Sequence, residues 1–248
     1  MADNKNQPHS CSLCSLGSIC LPLGVDKTGL ARLEALVQNS QVQHDGDAVI
    51  HQGDPFTKIY AIKSGMYKSI KLNADGHETI TGFHLPGELV GLDAIYPKEY
   101  TSSTVALTSS VVCQIDYEQL TELSTHIPAL QRQIMNLLSK EINNSNALLS
   151  ELTAEQKLAS FIRNLATRYE IRGYSGSELV LAMTRQDIAN HLGMAAETVS
   201  RLLKRFQDKG VLRIKHREVK ILDPEQLLRL TGCEVGLQHI DVNQLNRA

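Results

Sequence analysis

Four cysteines have a spacing that could hold a metal centre. Cys11, Cys14 and Cys20 follow the pattern C-x2-C-x5-C, and Cys113 lies alone, far along the chain. Three clustered thiolates with a distant fourth are typical of iron–sulfur clusters. Structural zinc sites more often combine two paired elements, and the sequence has no second C-x2-C or H-x3-5-H pair. The spacing therefore favours an iron–sulfur cluster. Zinc binding and redox-active thiols are the alternatives, and Cys113 by itself could also be a small core residue.

A second group of residues has the spacing of a helix that reads DNA. Between about residues 195 and 209, apolar residues recur at i, i+3, i+4 and i+7 and predict one buried face. On the opposite face, Arg201 can donate two hydrogen bonds to guanine, Glu197 can accept one from cytosine, and Ser200 can do either. We expect these three side chains to contact bases. The alternative is a solvated face on a structural helix.

The segments on either side of this helix complete a winged helix-turn-helix. A capped helix before it ends at Gly193, which supplies the tight turn, and residues 211–222 alternate like a β-hairpin with a basic tip. Residues 185–220 carry nine Lys or Arg and four acids, although the whole chain has a net charge of −2. This local positive charge suits a phosphate backbone. The residues expected to hold phosphates are Thr184, Arg185, Gln186, Lys204, Lys215 and Arg217.

The elements that must position the distant cysteine read as a β-roll. Over residues 41–115, short apolar stretches alternate with turns that contain Gly, Asp or Pro, which is typical of an antiparallel barrel or roll. Amphipathic helices are predicted before it, over 25–39, and further along the chain, over 154–172. The predicted fold class is therefore α+β. The predicted strands are 49–50, 59–62, 66–72, 79–85, 105–107 and 111–115.

A long helix is predicted from residue 128 to about residue 152. Its apolar residues keep a near-heptad seam that becomes mostly polar over 141–146. Polar residues in such a seam lower the stability of a helix pair and fix its register, so we expect a marginal homodimer interface. The alternative is that the helix packs on its own barrel. The expected interface residues are Leu130, Ile134, Leu137, Leu138, Glu141, Ile142, Ser145, Leu148 and Leu149.

Length and composition indicate the cellular compartment of the protein and the number of its domains. The chain has 248 residues, of which 42% are hydrophobic and 21% are charged, which is enough for two cores. No segment resembles a secretion signal or a membrane span, so we expect a cytoplasmic protein without structural disulfides. We assign residues 1–24 to a cysteine-rich arm, 25–126 to a sensory roll, 127–153 to a dimerisation helix, 154–235 to a DNA-binding domain and 236–248 to a tail.

Together these motifs resemble the FNR branch of the CRP/FNR superfamily, the fumarate and nitrate reduction regulators. The resemblance covers nearly the whole chain. It rests on the cysteine arm, on Thr-Gly-Phe-His-Leu-Pro-Gly-Glu-Leu-Val-Gly at 81–91 and on Glu-Thr-Val-Ser-Arg at 197–201. It implies a cyclic-nucleotide-binding-type β-roll, a long dimerisation helix and a C-terminal winged helix-turn-helix. It also implies a [4Fe–4S] cluster, converted by oxygen first to a [2Fe–2S] form, on Cys11, Cys14, Cys20 and Cys113.

The resemblance further implies how such a protein works. The cluster would promote a homodimer in the absence of oxygen, and oxygen would be the signal that ends it. The dimer would bind inverted repeats of the TTGAT type through Glu197, Ser200 and Arg201. With RNA polymerase as its partner, it would activate or repress genes of anaerobic metabolism. An iron–sulfur enzyme or electron carrier would not need the DNA-reading segment, so we do not expect an enzyme.

One part of the sequence departs from relatives that bind cyclic nucleotides. Those relatives need an arginine for the phosphate shortly after the Pro-Gly-Glu loop, and this chain has no arginine between Arg32 and Arg132. Without that cation a cyclic phosphate would be poorly paired. We therefore expect the loop at 87–89 to be a structural remnant and no cyclic nucleotide to bind. The alternative function is a CRP-type regulator with another effector, such as zinc, thiol redox, nitric oxide or a nucleotide.

Overall fold

The computed structural model describes residues 11–39, 42–148 and 152–232. The chain divides into two compact units, one within residues 1–145 and the other within residues 146–248. The first unit holds the cysteine arm, the roll and most of the long helix. The second holds the helix-turn-helix and its wing. None of the described helices is long and apolar enough to cross a membrane.

The roll of the first unit consists of two antiparallel four-stranded sheets. Its strands are β1 (Val37–Asn39), β2 (Ala48–Ile50), β3 (Lys58–Ser64), β4 (Tyr67–Leu72), β5 (Glu78–His84), β6 (Leu89–Val90), β7 (Ser103–Ala106) and β8 (Val111–Asp116). One sheet has the order β1-β8-β3-β6 and the other β2-β7-β4-β5. All six predicted strands are confirmed within two residues at each end. The short strands β1 and β6 are additional.

The helix predicted over 25–39 is shorter than expected. Helix α1 spans Lys27–Leu36 and begins after Asp26, whose carboxylate accepts a hydrogen bond from the Gly29 amide at 2.8 Å. The next three residues form β1 and pair with β8, which places Asn39 opposite Cys113. The prediction is wrong at this end because an extended chain satisfies backbone groups of β8, a distant partner that helical periodicity does not register.

Two helices follow the roll, α2 (Tyr117–His126) and α3 (Pro128–Leu148). The first was not predicted, although its start carries a capping signal: the Asp116 carboxylate accepts a hydrogen bond from the Gln119 amide at 3.0 Å. The second confirms the predicted long helix. Residues 149–151, over which the prediction continues, lie outside the described residues, and residue 152, where it ends, is not helical.

Helix α3 presents two apolar faces in different directions. Leu130 is 0% exposed in the core of the roll, and Ile134 and Leu137 pack against the same core. The prediction that Leu130 belongs to a dimer interface is therefore wrong, because the protomer's own roll already covers it. Ile134 and Leu137 lie on this roll-facing side too. Met135 and Ile142, by contrast, are 59% and 62% exposed.

The remaining predicted interface residues are either accessible in the single chain or outside the described part of it. Glu141 is exposed and Leu138 is half-buried, so both remain available to a partner. The side chains of Ser145 and Leu148, and Leu149 as a whole, lie outside the part of the chain that the structure describes.

The described part of the second unit consists of four helices and a small sheet. The helices are α4 (Ala154–Ile171), α5 (Arg185–Leu192), α6 (Ala196–Asp208) and α7 (Pro224–Leu230), and the strands are β9 (Glu178–Val180), β10 (Leu212–Lys215) and β11 (Glu218–Ile221). The sheet is antiparallel in the order β10-β11-β9. The predicted helix-turn-helix and its hairpin are confirmed, whereas β9 and α7 were not predicted. The core includes Leu158, Ile162, Leu165, Ile188, Val199, Leu203 and Phe206.

Candidate metal centre and DNA interface

The cysteine arm is a compact coil of successive turns. The amide of Cys14 donates to the carbonyl of Cys11 at 3.2 Å, and the amide of Gly17 donates to the carbonyl of Cys14 at 3.1 Å. A third turn joins the amide of Cys20 to the carbonyl of Leu16 at 3.0 Å. The arm therefore has its own backbone hydrogen bonds, and its three cysteines stay close together although no regular helix or strand holds all of them.

All four predicted cluster ligands line one cavity. Cys113 comes from β8, where it lies between Asn39 of β1 and Ala61 of β3, and the other three come from the arm. All four are free thiols. Apart from the cysteines, Gly17 and Lys63, the wall is apolar and consists of Leu16, Leu21, Pro22, Leu33, Val37, Ala61, Ile62 and Ile115.

The donor set fits an iron–sulfur cluster in its chemistry, because four thiols and an apolar wall are what such clusters require. Within the part of the chain that the structure describes, no three Cys, His, Asp or Glu side chains converge on one point as the ligands of a single metal ion do. In a four-cysteine cluster each thiolate binds a different iron atom, so the thiols have to surround the cavity and need not meet at one point.

Burial favours the protonated form of Cys11, Cys20 and Cys113. Removal from water raises the pKa of Cys11 to about 11 and that of Cys20 to about 12, and it also raises the pKa of Cys113. Neighbouring cysteines add to the rise in pKa. The ammonium of Lys63 opposes the rise at Cys11 and Cys113 but does not cancel it. Metal binding would have to displace these protons, since the thiolate is the ligand.

Three further residues contact the arm or line its cavity, and the sequence did not single them out. The Glu34 carboxylate accepts a hydrogen bond from the Ser12 amide at 2.8 Å. The Gln133 side-chain amide donates to the carbonyl of Cys20 at 3.1 Å. Lys63 is the charged residue on the cavity wall. Gln133 alone had a usable signal, because a polar residue three positions after Leu130 interrupts the roll-facing side of α3.

The Pro-Gly-Glu loop and the segment after it make hydrogen bonds and ring contacts within the protein. The Glu88 carboxylate accepts a hydrogen bond from the Leu85 amide at 3.0 Å. Tyr100, downstream of the loop, is 5% exposed, stacks edge-on against Phe56 and donates its hydroxyl to the Lys58 carbonyl at 2.7 Å. Glu88 and Tyr100 are thus held by contacts within the protein.

The helix-turn-helix is built on a capping box and a glycine turn. The Thr184 hydroxyl accepts a hydrogen bond from the Asp187 amide at 3.0 Å, and the Asp187 carboxylate accepts one from the Thr184 amide at 2.9 Å. Gly193 ends α5 in the left-handed region, at φ 66°. Helix α6 then buries Val199 and Phe206 in the core, which fixes the side that it turns outward.

The structure brings the predicted base-reading residues together on that outward side. Glu197, Ser200 and Arg201 of α6 are all exposed, as is Lys204 one turn further on. A guanidinium nitrogen of Arg201 donates to the Thr198 hydroxyl at 3.3 Å. A single contact of this length holds the side chain loosely and leaves its other donors available for a base edge.

The predicted phosphate contacts are less uniform. Gln186, Lys215 and Arg217 are exposed. The Thr184 hydroxyl also donates to the Asp187 carboxylate at 2.7 Å, so the cap already uses this side chain. Burial lowers the pKa of Arg185, and one of its guanidinium nitrogens is buried without a hydrogen-bond partner among the described residues.

Comparisons with known proteins identify both units. Residues 42–126 match the family model of the cyclic nucleotide-binding domain, and residues 156–230 match that of the Crp-like helix-turn-helix domain. The structure of FixK2 from Bradyrhizobium japonicum has a TM-score of 0.71 at 22% identity and covers 78% of this chain and 96% of that one. At this identity the likeness concerns the fold, and it confirms the predicted roll and helix-turn-helix.

Two relatives are similar enough to place the family. The transcriptional activator protein anr of Pseudomonas aeruginosa is 42% identical over 232 residues, which are 92% of this chain and 95% of that protein. The fumarate and nitrate reduction regulatory protein of Vibrio cholerae is 41% identical over 225 residues, 90% of each chain. The prediction of a DNA-binding regulator that is not an enzyme is confirmed. This chain belongs to the FNR branch of the CRP/FNR superfamily of transcription regulators.

Proposed function

We propose that this regulator responds to oxygen through a [4Fe–4S] cluster bound by Cys11, Cys14, Cys20 and Cys113. The observation that carries the proposal is that all four thiols, from an arm and a distant strand, line one largely apolar cavity. The name of a relative from Haemophilus influenzae, anaerobic regulatory protein, agrees with it; that protein is 40% identical over 225 residues. When bound, the cluster would supply the sensitivity to oxygen.

The arm and Cys113 would act together to hold the regulator in its DNA-binding state. Cys113 packs against the same core as Leu130 of α3. A structural change at the cysteines would therefore be transmitted to the long helix through packed side chains. A coupling of about 1–3 kcal/mol between the cluster and dimerisation would change the dimerisation constant by about 5- to 150-fold. This shifts the dimer population of a marginal dimer several-fold.

The homodimer would form through the exposed side of α3. Met135, Leu138 and Ile142 follow each other at steps of three and four residues, which is the spacing of a coiled-coil seam. Met135 and Ile142 remain largely exposed in the single chain. Pairing two such helices buries this face and brings two DNA-binding units together.

The DNA partner would be an inverted repeat of the TTGAT type. Two copies of α6, placed one DNA turn apart, read the two half-sites, and Glu197, Ser200 and Arg201 contact base edges in the major groove. Gln186, Lys204, Lys215 and Arg217 would hold the phosphates, and RNA polymerase would be the partner at promoters. A cyclic nucleotide is not proposed as effector, because Glu88 and Tyr100 are engaged within the protein.

Replacement of Cys113 by Ser tests the proposal. Wild-type protein purified without oxygen should be brown, dimeric and able to bind an inverted repeat, and it should bleach and release DNA in air. The variant should be colourless, monomeric and unable to bind. Cys233→Ser is the matched control, because it removes a thiol outside the predicted ligand set.

The outcomes separate the proposed function from its alternatives. A wild-type protein that is colourless and retains zinc would contradict the cluster and favour a zinc-dependent regulator. A Cys113→Ser variant that dimerises and binds DNA as the wild type does would show that the cysteine cavity does not control DNA binding.

A further inference from the structure

Gln133 is a large polar side chain buried in the core beside the cysteines. It is 6% exposed, and its amide nitrogen donates to the carbonyl of Cys20 at 3.1 Å. The two residues are 113 positions apart in the chain. A buried amide without a hydrogen-bond partner destabilises the folded protein. The contact with Cys20 therefore favours the arrangement in which the arm and α3 lie at this distance.

The position of Gln133 on α3 separates it from the proposed dimer seam. At 100° per residue, Gln133 lies on the opposite side of the helix from Met135 and Ile142. It lies beside Leu130 and Leu137, which pack against the core that also holds Cys20. A substitution at Gln133 therefore leaves the exposed seam unchanged and alters only how α3 contacts the cysteine arm.

We infer that Gln133 is the positioning residue that links the Cys20 segment of the arm to the dimerisation helix. The inference rests on the proposed function. With the arm seated beside Cys113 as the structure shows it, the Cys20 carbonyl accepts from Gln133 and holds α3 in place against the roll. When the arm opens, the carbonyl moves away. The buried amide then has to find another partner, which displaces α3 and disfavours the paired helices.

A purely structural role predicts something different. If Gln133 only joins two parts of one core, removing its amide weakens dimerisation by the same factor whether the cluster is present or absent. If Gln133 couples the arm to α3, removing its amide lowers the ratio of the dimerisation constant with the cluster to the dimerisation constant without it. This ratio is therefore the quantity to measure.

The test uses the full-length protein with two substitutions that remove the donor, Gln133→Met and Gln133→Leu. Methionine has nearly the length of glutamine and adapts to irregular core space, and leucine provides a second shape if methionine packs poorly. Asn136→Met is the matched control, because it removes an exposed amide from the same helix on a side away from the seam. Sedimentation equilibrium without oxygen gives the dimerisation constant of each protein with and without the cluster, and iron, sulfide and absorption spectra give the loading.

We expect both Gln133 variants to load the cluster as the wild type does and to lower the ratio of dimerisation constants by about 2- to 10-fold, the range expected for one net hydrogen bond. Asn136→Met should keep the wild-type ratio. An unchanged ratio in the Gln133 variants overturns the inference, as does an equal loss in both states or a loss of the cluster itself. If the wild type shows no cluster-dependent ratio, the proposed function is what fails.

Discussion

Replacing Arg201 by Ala should change the sequence preference of the regulator as well as its affinity. The side chain is exposed on α6, and its described contact is a single hydrogen bond to the Thr198 hydroxyl at 3.3 Å. Its loss should therefore alter the free energy of unfolding by less than about 0.5 kcal/mol. On DNA, a paired donor to guanine contributes about 1–3 kcal/mol of discrimination. We expect the Kd for the cognate inverted repeat to rise by about 5- to 150-fold.

Arg205→Ala is the control for this prediction. It removes the same charge from the same helix, but the Arg205 guanidinium lies 3.6 Å from the Glu155 carboxylate of α4. Fluorescence anisotropy without oxygen would compare both variants on the cognate duplex and on a duplex with one guanine pair exchanged. Arg201→Ala should bind the two duplexes nearly equally, whereas Arg205→Ala should keep the wild-type preference. If Arg201→Ala weakens both duplexes by the same factor, Arg201 contacts phosphate and the base-reading assignment is refuted.

Three further substitutions distinguish the surfaces of the protein. Leu130→Ala should lower the free energy of unfolding of the roll by about 2–5 kcal/mol, measured by denaturant titration, because the side chain is fully buried. Ile142→Glu should leave that free energy within about 0.5 kcal/mol of wild type and abolish dimers in sedimentation, because the side chain is exposed; a stable dimer would contradict the seam. Lys215→Gln in the wing should weaken all DNA sequences alike and reduce the slope of log K against log salt by about 1, and no change of slope would remove Lys215 from the phosphate contacts.

The sequence predicted best those parts of the fold whose signals are local. Strands of the roll alternate between turns, and α6 carries an apolar side at helical spacing next to the capping box of α5. These patterns depend on neighbours within a few residues, and the observed bounds follow them closely. The short elements β9 and α7 have too few residues to show a period, although Asp223 and Pro224 mark the start of α7.

The prediction for α3 shows where local patterns stop being sufficient. Its apolar residues form two stripes, one with Leu130 and Leu137 and another with Met135 and Ile142. Both are compatible with a helical period, and only the packed roll determines which stripe is free for a partner. The hydrogen bond from Gln133 to Cys20 could not be predicted from the sequence for the same reason, because only folding brings these two segments together.

Gly87 has a role in packing that does not depend on any ligand of the loop. Its φ of 86° suits glycine, and a side chain added there would meet the Cδ1 of Ile19, next to Cys20 in the arm, at 2.7 Å. The packing of the arm against the roll thus favours a glycine at this position whether or not any nucleotide binds. The glycine of the Pro-Gly-Glu loop is therefore explained by the seating of the arm and does not by itself indicate the effector.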